Sequence, residues 1–304
     1  MVNGSKKPHR SWVINVRKMI IFAAVIFSLL LLLIFSMLFD RSFFGTKTYS
    51  LKIDNLERTY NVHLPKGYRG GNKYPLVIVL HGLSDNPTLV ELNSGMSKKA
   101  DREKFIALYP KGTGKSPSWN AQFCCGEARK NKVDDVKFID SLVKTAILDF
   151  AVDKNRIFVV GFSNGGMMAY RLAAELPNIK GVGIIAGTAG SKNDMPSAPK
   201  RDVATIVFHG ENDKSVPLRG GGEFSFLSVD LSLEIWTGGK YDKAIEENES
   251  FTKTIYKREN KQDVVLYVVK GRSHVWFGGL QDYIYSLKRP NIFATDIIWN
   301  FLKS

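Results

Sequence analysis

The sequence predicts an α/β fold with a mainly parallel, doubly wound sheet, preceded by one N-terminal transmembrane helix. Apolar segments alternate with segments of helical spacing, and several of the apolar segments are continuous, which is typical of strands buried on both faces of a sheet. The membrane helix is predicted from Met19–Phe39, a run of 21 residues without a charge. The chain has 304 residues, enough for one large domain behind this run.

Residues 1–18 are predicted as a basic cytoplasmic tail and residues 19–39 as an uncleaved signal anchor. At about 1.5 Å per residue, this run spans roughly 30 Å, the thickness of the hydrocarbon core of a bilayer. A cleaved signal peptide, followed by secretion, is the alternative, but its apolar region usually has about 7–15 residues and ends at small residues. Five basic residues precede the run and three follow it up to residue 52, so the positive-inside rule places the rest of the chain outside the cytoplasm.

Residues 40–52 are predicted as a linker and residues 53–304 as one folded domain. In a parallel sheet the working residues gather at the carboxyl ends of the strands, so the segments "LHG", "VGFSNGG", "FHGEND" and "GRSHVWFGG" should meet at one edge. The predicted strands are 58–68, 76–80, 105–112, 156–160, 182–187, 204–210 and 263–271, and the predicted helices are 133–150, 164–176 and 293–303.

The formal net charge of +14 favours an anionic surface as a neighbour or a simple solvated basic surface. Nucleic acid is not predicted as a partner, because no compact Lys/Arg cluster with interleaved aromatic residues is present. The only cysteines are the neighbours Cys124 and Cys125, which excludes a disulfide framework. Two thiols are the simpler expectation, because neighbouring Cα atoms lie closer together than a disulfide prefers, and a strained disulfide between the two neighbours is the alternative.

The stretch "RIFVVGFSNGGMMAYRLAAEL", Arg156–Leu176, carries the pattern G-x-S-x-G around Ser163, between a predicted strand and a predicted helix. In this context the pattern is typical of a nucleophilic serine, because the sharp turn lifts the hydroxyl clear of the backbone. The start of the helix then directs N–H groups towards negative charge that develops on a substrate. A structural glycine-rich turn is the alternative. We predict Ser163 as a nucleophile.

A serine hydroxyl needs a base, and in this architecture the order along the chain is serine, acid, histidine. Of the two histidines that follow Ser163, His209 precedes the best-placed acid, so His274 is predicted as the base. Asp213, in the loop after a predicted strand, is predicted as the acid, with Glu211 as the nearby alternative.

Two backbone N–H groups are predicted to form an oxyanion hole. One belongs to Asn164, the residue after the nucleophile, and the other to Leu83 in "LHGLSD". Gly82 permits a close approach of the backbone there, and His81 is predicted as a structural, hydrogen-bonding residue.

Six segments in order, "LHGLSDN", "SWNAQFCCGEA", "VDDVKFID", "VGFSNGGMMAYRLAAELP", "FHGENDKSVPLRGGG" and "SHVWFGG", resemble the extracellular esterase family of polyhydroxybutyrate depolymerases and feruloyl esterases. The resemblance covers about residues 49–304 and implies an α/β-hydrolase fold, a serine esterase reaction, no cofactor and no metal. It places the nucleophile, acid and base on Ser163, Asp213 and His274. The chain departs at the histidine motif, where members of the family often have a Cys beside the histidine and Trp-Pro after it, and this leaves the substrate open.

We therefore predict a membrane-anchored serine carboxylic ester hydrolase that acts on short-chain or aromatic acyl esters, such as acetyl or feruloyl esters, rather than on crystalline polyhydroxybutyrate. Phe162, Trp276 and Gly221 are predicted to contact the substrate, the two rings by stacking on a planar acyl group. A serine peptidase of the same fold and a non-catalytic binding protein are the alternatives. The predicted partners are an ester substrate and the membrane, and the sequence predicts no oligomeric state.

Overall fold

The computed structural model describes residues 19–23, 26–28, 45–194, 198–286 and 291–304. The chain divides into two compact units, Met1–Gly45 and Thr46–Ser304. In the first unit the described residues 19–23 and 26–28 are helical, while the predicted basic tail and the rest of the predicted membrane run lie outside the described residues. Among the residues that are described, no helix combines the length and the apolar character needed to cross a bilayer.

The second unit contains a ten-stranded sheet whose strands lie in the order β1-β2-β4-β3-β5-β6-β7-β10-β9-β8. The six central strands, from β4 to β10, run parallel to one another, and the outer strands at both edges pair antiparallel. The mainly parallel sheet that the sequence predicts is thus confirmed. The strands are β1 Thr46–Ile53, β2 Leu56–His63, β3 Tyr74–Leu80, β4 Ile106–Pro110, β5 Val152–Phe162, β6 Gly181–Ile185, β7 Ala204–Gly210, β8 Asp242–Glu247, β9 Phe251–Lys257 and β10 Val264–Val269.

Two apolar clusters form the core, one on each face of the sheet. Strand β3 contributes to both, because alternate side chains point to opposite faces: Leu76 and Ile78 pack in one cluster, Val77 and Val79 in the other. This two-sided burial explains why the strand is apolar throughout. The helices that cover the sheet are α1 Pro87–Ser94, α2 Met96–Glu103, α3 Gly126–Lys130, α4 Asp135–Asp149, α5 Asn164–Glu175, α6 Val229–Thr237, α7 Leu280–Ser286 and α8 Ala294–Leu302.

The folded unit begins earlier than the sequence analysis placed it. Residues 46–52, assigned to a linker, belong to β1, which pairs with β2 from Thr46 opposite His63 to Ile53 opposite Leu56. The two strands are joined by a two-residue turn at Asp54 and Asn55, whose φ angles of 47° and 64° suit this kind of hairpin. The linker assignment was wrong for these residues because β1 is a half-exposed, polar strand without a continuous apolar run.

The two cysteines also differ from expectation. Cys124 and Cys125 form a disulfide with each other, and both side chains are buried in the core. The expectation of two thiols considered only the spacing of neighbouring Cα atoms. With no third cysteine in the chain, each sulfur has only its neighbour as a partner.

Candidate active site

Ser163 lies on a sharp turn between the end of β5 and the start of α5. Its backbone has φ 54° and ψ −121°, a conformation that non-glycine residues rarely adopt, and its N–H donates to Ile185 O on the neighbouring strand at 2.8 Å. Two glycines make this turn possible. A Cβ atom on Gly161 would lie 2.1 Å from Gly165 O, and one on Gly165 would lie 2.4 Å from Leu80 O.

The turn leaves several polar groups near Ser163 without internal partners. The hydroxyl is half-buried and makes no hydrogen bond to the part of the chain that is described. The first helix-type bond of α5 is donated by Met167 N–H to Ser163 O at 3.0 Å. The N–H groups of residues 164–166 therefore remain available at the helix start, where they favour negative charge.

Asp213 and His274 are joined by a hydrogen bond. His274 Nδ1 lies 2.7 Å from Asp213 Oδ2, and the other carboxylate oxygen accepts the N–H groups of Ser215 and Val216 at 2.9 Å each. Three hydrogen-bond donors thus converge on a buried carboxylate. The proton of the histidine ring is then held at Nδ1, and Nε2 can act as a base.

Glu211, the alternative acid, faces elsewhere. Its carboxylate accepts the N–H of Gly271 at 2.8 Å and is exposed, whereas the carboxylate of Asp213 is bound to His274. Of the two acids that the sequence left open, the geometry favours Asp213.

Phe162 connects the turn with the histidine. Its ring centroid lies 4.9 Å from that of His274, and a Cβ on Gly82 would lie 3.1 Å from the Phe162 ring and 3.5 Å from Ser163 Cβ. The loops after β3, β5 and β10 therefore meet at one edge of the sheet, as the sequence predicts. No hydrogen bond joins Ser163 to His274 within the described ranges, a common situation before a substrate binds.

The loop that carries Leu83 is shaped by two backbone hydrogen bonds, from Ser84 N–H to Pro117 O at 2.8 Å and from Asp85 N–H to Gly82 O at 3.3 Å. The N–H groups of Leu83 and Asn164 have no acceptor in the described part of the chain. Both can therefore donate to an incoming oxygen atom, as an oxyanion hole requires.

His81 has the structural role that the sequence predicts. Its Nε2 accepts the N–H of Gly112 at 2.9 Å, so the ring proton lies on Nδ1, which donates to Gly82 O at 2.7 Å. The ring is fully buried, and this burial lowers the pKa of His81 from 6.5 to about 4. His81 therefore stays neutral at physiological pH.

Asp85 lies on the same loop, and its carboxylate accepts the N–H of Asn86 at 2.7 Å. Burial raises the pKa of Asp85 from 3.8 to about 6, although hydrogen bonds to the backbone of Asn86 and Gly82 oppose the effect. The loop that carries the candidate oxyanion donor thus holds an acid and a base whose pKa values are both displaced, in opposite directions.

His209, set aside as a base, lies behind the acid. Its Nε2 is 2.7 Å from Val216 O and 3.5 Å from Asp213 Oδ2, and burial lowers its pKa although the charge of Asp213 opposes this. The sequence indicated nothing about this contact, because it depends on how the acid loop folds back. Across the described residues, no group of three or more His, Cys, Asp or Glu side chains could hold a metal ion.

Trp276 is not part of a binding surface, and its predicted contact with the substrate is corrected here. Its side chain is 1% exposed, and its indole N–H donates to Thr295 Oγ1 at 2.9 Å. Trp119 and Trp236 are buried as well. The position of Trp276 two residues after His274 does not determine which way its ring points. The ring points into the core because burying a large apolar ring is more favourable in free energy than leaving it exposed to water.

The other two predicted contact residues have different surroundings. Phe162 is half-buried beside His274 and can touch a bound acyl group. Gly221 lies in a half-exposed turn with φ 93°, where it exchanges two backbone hydrogen bonds of 2.8 Å with Phe226. Within the described ranges, no hydrogen bond links Gly221 to the three triad candidates.

A cavity of about 760 Å³ opens beside His274. Tyr285 on α7 lines it together with Ser273 and residues 211–215, and the Tyr285 side chain is 69% exposed. Sequence analysis missed this residue. The available signal was the stretch "YIY" in a short helix close after the histidine motif, because large apolar side chains left in water often mark a binding site.

A family model described as phospholipase/carboxylesterase matches residues 69–229, which include Ser163 and Asp213. Feruloyl esterase C of Emericella nidulans is 32% identical over 170 residues, which cover 54% of this chain and 58% of that protein. The bifunctional acetylxylan esterase/xylanase XynS20E of Neocallimastix patriciarum is 26% identical over 139 residues, which cover 46% of this chain and 19% of that protein. The matched segments cover 47%, 19% and 59% of the length of three such curated relatives, so the chain spans less than two thirds of each.

Solved structures show the same fold at low identity. The acetyl xylan esterase from Aspergillus awamori has a TM-score of 0.58 at 14% identity, covering 75% of this chain and 94% of that one. The ferulic acid esterase from Anaeromyces mucronatus has a TM-score of 0.56 at 18% identity, covering 85% of this chain and 89% of that one. These likenesses support the arrangement of strands and helices and say nothing by themselves about substrate.

The displaced pKa values of His81 and Asp85 each predict a pH dependence of the free energy of unfolding, and in the wild type the two dependences partly cancel. His81 has a lowered pKa, so the stability it contributes is complete above pH 6.5 and is lost as the pH falls towards about 4. Asp85 has a raised pKa, so its contribution is complete below pH 3.8 and is lost as the pH rises through about 6. The two effects oppose each other.

We expect Asp85→Asn to remove one side of this balance. Between pH 7 and pH 4.5 the free energy of unfolding of the variant should fall more steeply than that of the wild type, with a difference of up to about 2 kcal/mol. Urea unfolding at both pH values measures it. Equal pH dependence in the two proteins would contradict the assignment.

Proposed function

The chain belongs to the phospholipase/carboxylesterase family and has the α/β-hydrolase fold, and on this basis we propose that it hydrolyses carboxylic esters with Ser163 as the nucleophile. The observation that carries the proposal is the Asp213–His274 hydrogen bond at the edge where the strained Ser163 turn ends. Serine, acid and histidine follow in the order along the chain that this fold uses.

In the proposed reaction, His274 Nε2 takes the proton of the Ser163 hydroxyl while its oxygen attacks the ester carbonyl carbon. Negative charge develops on the carbonyl oxygen, to which the N–H groups of Leu83 and Asn164 can donate hydrogen bonds. Removing one such donor typically costs about 3–4 kcal/mol of transition-state stabilisation. The C–O bond then breaks, and the alcohol leaves with the proton from His274. Water repeats the sequence on the acyl-enzyme, which releases the acid and restores Ser163.

For the substrate, we propose short-chain or aromatic acyl esters, such as acetyl or feruloyl esters. The proposal is supported by Phe162 and Tyr285, two rings with accessible surface beside His274, because an aromatic ring can stack on a planar acyl group. Among the matched relatives are proteins described as feruloyl and acetylxylan esterases. The buried Trp276 no longer supports it.

We also propose that residues 19–39 anchor the protein in a membrane with the catalytic unit outside the cytoplasm, supported by the charge-free run and the basic residues before it. Protease added to sealed cells should digest the catalytic unit. If the unit is digested only after lysis, the orientation is wrong, and if it is recovered free in the medium, the run is a cleaved signal instead.

Ser163→Ala and His274→Ala should each lower kcat by roughly 10⁴-fold or more while the protein stays folded, because neither remaining partner can complete the reaction alone. The double variant should be little worse than either single one, since the residues act as a unit. Turnover of a chromogenic acetyl ester measures this.

The matched control is Ser116→Ala, which removes a hydroxyl from an exposed position and should leave kcat unchanged. A folded Ser163→Ala enzyme with near-normal turnover would rule out the mechanism. A wild-type protein that turns over no ester would favour a binding protein, and faster cleavage of peptides than of esters would favour a peptidase.

We expect soluble acetyl and feruloyl esters to be hydrolysed faster than product is released from polyhydroxybutyrate granules at the same enzyme concentration. Among the described residues, Tyr285 is the one tyrosine, phenylalanine or tryptophan that lines the cavity beside His274, which suits a single planar acyl group. Parallel assays on the three substrates at equal enzyme concentration measure the preference. Faster release from the granules would contradict the proposed substrate class.

Tyr285→Ala provides the structural control for this preference. If this cavity holds the acyl group, the substitution should lower kcat/KM on the feruloyl ester several-fold more than on the acetyl ester, because the acetyl group has no ring to stack on Tyr285. Tyr283→Ala changes an exposed tyrosine of the same helix that does not line the cavity, and it should affect neither substrate.

A further inference from the structure

The side chain of Asn164 makes two hydrogen bonds that the proposed reaction does not use. Asn164 Oδ1 accepts the backbone N–H of Trp119 at 2.7 Å, and Asn164 Nδ2 donates to Trp119 O at 3.0 Å. The side chain is 1% exposed, so both bonds form away from water. One buried amide thus binds both backbone polar groups of a single residue that lies 45 positions earlier in the chain.

Trp119 is in turn hydrogen-bonded to the loop after β3. Its indole N–H donates to His81 O at 2.9 Å, and its ring lies 5.0 Å from the His81 ring, centroid to centroid. His81 is itself held by Gly112 N–H and by its bond to Gly82 O. Leu83 directly follows Gly82 on this loop, and its N–H is the second candidate oxyanion donor.

The two candidate donors therefore belong to separate loops that one chain of buried hydrogen bonds joins. The N–H of Asn164 starts α5, the N–H of Leu83 follows β3, and the link between them runs from Asn164 through Trp119 to His81. Two donors stabilise an oxyanion only if both reach the same oxygen atom, at about 2.7–3.1 Å. Any drift between the two loops would misplace one of them.

We propose that Asn164 is a positioning residue whose side chain, through Trp119 and His81, sets the distance between the Leu83 and Asn164 N–H groups. The inference rests on the proposed function, because it assigns the two N–H groups to the transition state. Asn164 then contributes to the oxyanion hole in two ways: its backbone N–H is one donor, and its side chain connects the turn to the loop that carries the other donor.

The loop that carries Trp119 has other attachments, so the Asn164 side chain is not needed merely to hold it down. Asn120 N–H donates to Asp135 Oδ2 at 2.8 Å, Asn120 Nδ2 donates to Val133 O at 2.9 Å, and Arg171 donates to Asn120 O at 2.6 Å. Asp135 is in turn paired with the buried Arg58 at 2.7 Å. These bonds fix the loop to α4 and α5, whereas the Asn164 bonds align it with the Ser163 turn.

The test compares the transition state with the ground state in Asn164→Ala. We expect kcat on an acetyl ester to fall roughly 10- to 100-fold with KM changed less than about 3-fold, because only the oxyanion is affected. Binding of a trifluoromethyl ketone, which forms an oxyanion with the serine, should weaken by the same factor as kcat/KM. Binding of the corresponding methyl ketone, largely unreacted, should not change.

Trp119→Phe cuts the same link at its second bond, since it keeps an aromatic ring and removes the indole N–H. It should lower kcat and trifluoromethyl ketone affinity together in the same way, and it carries the test if Asn164→Ala does not fold. Combined with Asn164→Ala, it should add little, because both changes break one connection. Asn120→Ala, which removes a side-chain bond of the same loop to Val133 O, is the matched control and should leave kcat unchanged.

Folded Asn164→Ala and Trp119→Phe variants that keep wild-type kcat and trifluoromethyl ketone affinity would overturn the inference, as would equal weakening of both ketones. Ser163→Ala in the same assay separates this failure from a failure of the proposed function. If Ser163→Ala is inactive while Asn164→Ala is normal, only the positioning role is wrong. If Ser163→Ala keeps its activity, the proposed function is wrong, and the positioning role falls with it.

Discussion

The close contacts of α5 with β5 at Gly161 and with the end of β3 at Gly165 are the constraint on which the rest of the site depends. Neither position has room for a Cβ atom, because the neighbouring backbone lies 2.1 to 2.4 Å from where that atom would be. These contacts let the chain reverse within a few residues, and they force Ser163 into a backbone conformation that is unfavourable for a side chain. The reversal in turn leaves the first N–H groups of α5 free and brings them to the serine.

Around this turn, the site is assembled from neutral, buried polar groups rather than from exposed charges. His81 and His209 are both kept uncharged by burial, and each is held by a backbone group: His81 by Gly112 and Gly82, His209 by Val216. The carboxylate of Asp213 accepts hydrogen bonds from three donors. Positions set by such buried hydrogen bonds are stiff, because each lost bond would leave a buried polar group unsatisfied.

The parts of this molecule that were predictable are those with a local signature. The apolar run 76–80 and the pattern around Ser163 each show in a few adjacent residues, and chain order alone selected His274. The hairpin strands β8 and β9 were missed because they are polar and lie at an edge, where burial leaves no pattern. The direction of Trp276 and the Asn164–Trp119 contact depend on packing between distant segments, which one sequence does not encode in any local spacing.

Strand β8 ends the sheet with one side unpaired, and its composition has a consequence for the behaviour of many copies. Four of its six residues, Asp242, Lys243, Glu246 and Glu247, carry charges, and all four are exposed. Glu246 and Glu247 are already paired with Lys253 and Lys270, and another chain that added a strand here would have to desolvate these exposed charges. Edge-to-edge association through this strand is therefore disfavoured, so the protein should resist aggregation along this edge of its sheet even at high local concentration.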